Sequence, residues 1–105
     1  MEEELLSTIM TIIMKSGQAK DACYRALQAA KKGEETATLL QEATDFMNEA
    51  HQAQTTLMSQ EASGVEFKLS LLVVHAQDHL MTTLTYMDLV KELIALYEQG
   101  QIKRD

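Results

Sequence analysis

The stretch Val74-His75-Ala76-Gln77-Asp78-His79-Leu80-Met81-Thr82-Thr83 sets two histidines, an aspartate and hydroxyls into a segment flanked on both sides by Leu, Val and Met. Wound as an α-helix at roughly 100° per residue, His75, Asp78, His79 and Thr82 occupy i, i+3, i+4 and i+7 and share about a quarter of the circumference. They form a polar island, because the same sector holds Leu71 before them and Tyr86, Leu89, Leu93 and Leu96 after them. The opposite side is apolar as well, with Leu69, Val73, Leu80, Leu84, Met87 and Ile94. One three-helix monomer can cover only one such face well, so self-association through this helix is expected. Asp78, nearly in line with Leu71, Leu89 and Leu96, should point into that interface.

Working outward, the chain divides into three helical segments. From about Glu3 to Lys32, Leu6, Ile9, Ile13, Cys23, Leu27 and Ala30 recur at spacings that are mostly three or four. The early glutamates suit a helix N-terminus, Lys31 and Lys32 a C-terminus, and Gly33 a left-handed cap. A second segment opens near Glu35 or Thr36 and carries Leu40, Ala43, Met47, Ala50 and Leu57 down one face to about Glu61, with Glu42, Asp45 and Glu49 on its wet surface. Ala62 to Glu66 is the second break, where Ser63 and Glu66 have capping-box spacing. The third helix runs from there to about Gln99. Two short connections between three long helices predict an antiparallel, up-down-up, all-α bundle in a single domain, 1–105.

Composition agrees. Proline is absent and glycines number only four, so little interrupts helix, and 5% aromatic content without Trp predicts a methionine-rich aliphatic core of Leu, Ile, Ala and Met. The net charge of −7 repels phosphate backbones and anionic lipid, which speaks against nucleic acid and membrane surfaces and for protein partners. Glu2, Glu3 and Glu4 stand where a signal peptide would be basic, and the apolar run Ile9 to Met14 is too short to span a bilayer. A cytoplasmic location is expected. The single cysteine, Cys23, reads as a buried reduced thiol, and His51 as a structural histidine.

Several chemistries could use the island. His75 and His79 at i and i+4 could share a transition metal, but Ala76-Gln77-Asp78 lacks the glutamate base of an HExxH site. No serine stands in a strained turn motif, and Cys23 is on another helix. A neutral imidazole is itself a nucleophile able to accept and pass on a phosphoryl group. Buried polar clusters can also serve only to fix helix register, and composition does not separate these readings.

The wording of the motif does. His75-Ala76-Gln77-Asp78-His79-Leu80-Met81-Thr82 resembles the signature of the enzyme IIA component of the lactose/cellobiose/chitobiose branch of the bacterial phosphoenolpyruvate-dependent sugar phosphotransferase system. Ser16-Gly17-Gln18-Ala19, Asn48-Glu49-Ala50-His51 with Gln54-Thr55, and Glu92-Leu93-Ile94-Ala95-Leu96-Tyr97 extend the resemblance along nearly the whole chain in order. It implies an antiparallel three-helix bundle that forms a homotrimer, with His75 carrying the phosphoryl group on Nε2. It also implies that Asp78 ligates one shared metal ion at the trimer axis. The expected donor is the phosphocarrier protein HPr and the acceptor an enzyme IIB, which serves a membrane IIC. His79 is then a donor to the phosphoryl oxygens or an orienter of His75.

Three carboxylates on an axis repel unless protonated or neutralised, and oxygen ligands favour a hard divalent cation such as Mg²⁺, in a structural role. No organic cofactor is expected. Ala76 after the active histidine is similar to cellobiose and chitobiose members, whereas lactose members tend to have Gly there. The rival readings are a histidine phosphotransfer domain of two-component signalling and a non-catalytic helical adaptor. The former usually has a basic residue and small residues just after its histidine; the latter has no reason to concentrate histidines in an apolar strip.

Overall fold

The computed structural model describes residues 3–103 and holds three helices: α1 (Glu3–Lys31), α2 (Ala37–Ala62) and α3 (Leu71–Glu98). Among the described residues there is no strand, and no helix is long and apolar enough to cross a membrane. All three helices end by one device. Gly33, Gly64 and Gly100 take positive φ, and each helix's last carbonyls accept in the paired pattern seen at Gly33 N–H to Ala30 and Glu34 N–H to Ala29. Glycine adopts that conformation without a Cβ penalty, which is why the breaks fall where they do.

The start of α3 differs from the sequence expectation. Residues 65–70 carry no regular structure, and the helix is capped by Ser70, whose hydroxyl accepts from the Val73 N–H at 3.2 Å. Ser63 instead closes α2, its hydroxyl donating to the Gln60 carbonyl at 2.8 Å. The Ser63–Glu66 capping box does not form, and Leu69, expected on a helix face, lies before the helix and is 80% exposed. At the start of α2, Thr36 makes no capping bond with its side chain. Glu35 accepts from the Thr38 N–H, and the Thr36 hydroxyl donates to Glu98 at 2.9 Å, tying the start of α2 to the end of α3.

The core is built more from alanine than from methionine. Ala19, Ala22, Ala26, Ala30, Ala43, Ala50 and Ala76 are buried with Ile9, Ile12, Leu80, Val90 and Ile94. Among the described methionines only Met47 and Met87 join them, while Met10, Met14, Met58 and Met81 are exposed. Small side chains let helix axes approach closely, which suits a slender body 51 × 20 × 18 Å in extent. Leu6, expected inside, is also exposed. α1 packs against both other helices, which touch each other little.

Across α1 and α2, Lys15 pairs with Glu49 and Arg25 with Glu42, so two of the acids assigned to the wet face of α2 bridge to α1. Across α2 and α3, Gln54 donates to Gln77 at 2.7 Å.

Of the two apolar faces of α3, the one with Leu80, Met87 and Ile94 turns inward, joined by Ala76, Thr83 and Val90. The other is covered only in part: Tyr86, Leu93 and Leu96 are half-buried, whereas Leu71 and Leu89 are exposed together with Val74 and Met81 beside them, and Asp78 stands exposed among these.

Candidate functional site

His75 and His79 sit a turn apart near the N-terminal end of α3, on backbone held straight by ordinary helix bonding and a capped first turn. Their rings stack, with centroids 5.9 Å apart and planes within 13°. A metal ion bound by both rings would have to lie close to both ring planes, and two stacked, nearly parallel planes do not meet nearby, which does not suit one chelated metal ion. It does suit a group carried on the edge of one ring and contacted from the edge of the next.

Their surroundings differ. His75 is exposed, while His79 is half-buried against α1. Burial first, then the neighbouring His75, then the Lys20 cation push the His79 pKa below its ordinary 6.5. At neutral pH His79 is therefore an uncharged imidazole, offering one N–H and one lone pair.

A folded pKa below the unfolded one makes stability depend on pH in a definite sense. The unfolded chain binds the proton first, so the contribution is complete above 6.5 and is lost as pH falls through the folded value. NMR titration of the imidazole signals is expected to place the His79 midpoint below 6.5. A midpoint at or above 6.5 would contradict this environment.

Not every member of the island joins the pair. Thr82 turns its hydroxyl back on its own helix, donating to the Asp78 carbonyl at 2.8 Å. The Asp78 side chain is exposed on the partly covered apolar face. Among the described residues no three His, Cys, Asp or Glu side chains of one chain converge as a metal site.

His51 is exposed on α2. Cys23 is buried, and its thiol is pushed up, chiefly by burial, with Lys91 opposing. The buried thiol is as expected for Cys23.

Two residues without an assigned role in the sequence reading lie beside the pair. Gly17 of α1 faces His79: a Cβ there would stand 3.5 Å from Nε2. Lys20, one turn on, places its Nζ 5.8 Å from the centre of the Tyr86 ring and contributes to the field at His79. A glycine inside a long helix was the available signal, but its partner is remote in sequence.

The family model for "PTS system, Lactose/Cellobiose specific IIA subunit" matches residues 7–98. The lichenan-specific phosphotransferase enzyme IIA component of Bacillus subtilis is 42% identical, covering 94% of this chain and 92% of that protein. The lactose-specific EIIA component of Staphylococcus epidermidis is 44% identical, covering 85% and 88% respectively. The solution structure of the IIA(chitobiose)–HPr complex of the Escherichia coli N,N'-diacetylchitobiose branch superposes with a TM-score of 0.80 at 39% identity. It covers 96% of this chain and 100% of the matched chain.

Proposed function

The chain belongs to the lactose/cellobiose-specific IIA family of the sugar phosphotransferase system, and from that premise we propose that His75 is the phosphoryl carrier between HPr and a cognate enzyme IIB. The observation that carries the assignment is the pair itself, an exposed imidazole stacked at 5.9 Å on a half-buried neutral one. HPr as donor is supported by the related chitobiose protein, whose structure is that of a complex with HPr.

In the transfer, the lone pair on Nε2 of His75 forms a new N–P bond as the N–P bond of the donor's phosphohistidine breaks. The bonding pair returns to the donor imidazole. One N–P bond replaces another, so the protein must mainly position the reactants and supply donors to the phosphoryl oxygens. Exposure gives His75 access to both partners. His79, one turn on, is the hydrogen-bond donor to those oxygens. The second transfer, to IIB, reverses the roles, and IIB then phosphorylates sugar entering through the membrane IIC.

The sugar in this reading is a β-disaccharide, with cellobiose or chitobiose favoured over lactose through the Ala76 resemblance alone. Ala76 is fully buried, so it is not positioned to touch sugar or partner protein. The reading also takes residues 1–105 as one up-down-up helical domain, supported by the opposite sense in which residue numbers run along the α1–α2 pairs 15–49 and 25–42 and the α2–α3 pairs 36–98 and 54–77. The domain acts as a cytoplasmic homotrimer, without nucleic acid, membrane insertion or organic cofactor, its partly covered α3 face packed on the trimer axis. The three Asp78 carboxylates on that axis would hold one divalent cation, Mg²⁺ by chemistry, whose contribution is charge neutralisation away from the transfer step.

Incubation with phosphoenolpyruvate, enzyme I and HPr should load one acid-labile phosphate per chain, and added IIB should remove it. Failure to load from phospho-HPr, or loading from a sensor kinase instead, would overturn the assignment.

A further inference from the structure

Three of the four glycines end helices. The fourth, Gly17, sits in the middle of α1 with no positive φ, where glycine weakens a helix relative to alanine. Steric necessity does not account for it. A Cβ at this position would lie 3.5 Å from Nε2 of His79, an ordinary contact distance, so alanine fits.

What alanine would change is the surface presented to that nitrogen. With glycine, no side chain stands between α1 and the Nε2 edge of the ring, which leaves a notch there. With alanine, a methyl group would cover the nitrogen, and any γ atom beyond it would press on a ring already stacked on His75. A nitrogen capped by hydrocarbon loses hydrogen-bonding capacity that nothing nearby restores.

We propose that Gly17 is a positioning residue for phosphoryl transfer, keeping the Nε2 edge of His79 open so that it can hydrogen-bond an oxygen of the phosphoryl group carried on His75. This rests on the carrier role assigned to His75 above and extends it to a second helix. The two rings are nearly parallel and a turn apart, with centroids 5.9 Å apart, so a phosphoryl group carried on His75 would stand next to the His79 ring. Lys20, one turn along α1 from Gly17, adds positive charge on the same side. The notch therefore gives up helix stability for access to one nitrogen.

The test is a double-mutant cycle on transfer from phospho-HPr, using wild type, Gly17→Ala, His79→Ala and the double variant. Gly17→Ala should fold with an unchanged or higher Tm, yet transfer about tenfold more slowly, the scale expected of a misplaced catalytic contact. In the His79→Ala background the same substitution should change the rate by less than about twofold, because its effect passes through the missing ring. The 15N signal of His79 Nε2 should also move between wild type and Gly17→Ala in the phosphorylated protein.

Wild-type transfer by Gly17→Ala would overturn the inference. So would an equal slowing with and without His79, which would mark Gly17 as a packing residue. Either result leaves the carrier role of His75 standing if loading still requires His75. If loading proves independent of His75, the carrier role fails and this inference fails with it.

Discussion

His75→Ala is expected to take up no acid-labile phosphate from phospho-HPr, a loss of more than about 10³-fold in transfer rate. The size of the effect follows from the lack of a substitute among the described residues. His79 is half-buried against α1, less accessible than His75 to a bulky donor protein. His51 is exposed on a different helix. The Cys23 thiol is buried, and burial pushes it further from its nucleophilic thiolate form.

Because His75 is itself exposed, its removal leaves no cavity, and circular dichroism and Tm should match wild type. His79→Ala removes a donor rather than the nucleophile and should cost less, about 10²-fold. Phosphorylation of His75→Ala to the wild-type extent would refute the mechanism.

The second large effect concerns assembly. Light scattering at micromolar concentration should give wild type three times the 11.8 kDa chain mass, and Met81→Glu the mass of one chain. Met81 is 53% exposed in the isolated chain, so the substitution spares the monomer core and acts on the uncovered strip of Leu71, Val74 and Leu89 around Asp78. Burying each such apolar side chain against a neighbour contributes about 1.5–3 kcal/mol, and burying an unpaired carboxylate costs several kcal/mol, so three copies swing the association strongly.

In the proposed trimer the introduced carboxylate would also stand about a turn from Asp78, adding one charge per chain near an axis on which three carboxylates would repel. Chelator should lower the Tm of wild-type trimer and leave Asp78→Asn unaffected, since the amide carries no charge to neutralise. A wild-type monomer under these conditions would remove the trimer, and equal chelator sensitivity of wild type and Asp78→Asn would remove the metal.

Much of this was legible in one dimension. Gly33 marked a helix end because positive φ is a local property that glycine permits, and the helical spacing of Ala43, Met47, Ala50 and Leu57 marked the buried face of α2. The start of α3 was not legible. Ser63 and Ser70 are both competent caps, and the choice depended on the six-residue segment before Leu71 running without regular structure toward the third helix. The methionines misled for a related reason: composition reports how much flexible apolar volume exists, but where axes approach closely the space goes to alanine, and long side chains are left outside.

By itself, the sequence determined an all-α chain of three helices and placed His75, Asp78 and His79 on one sector of the third, because helical periodicity is set by backbone geometry that neighbours do not alter. Only the tertiary structure decided which apolar face of α3 turned inward, that Thr82 would bond its own helix, and that Gly17 would lie opposite His79. Those outcomes depend on how α1 and α3 meet, and contacts between residues so distant in sequence are set by the packing of whole helix faces rather than by any local pattern.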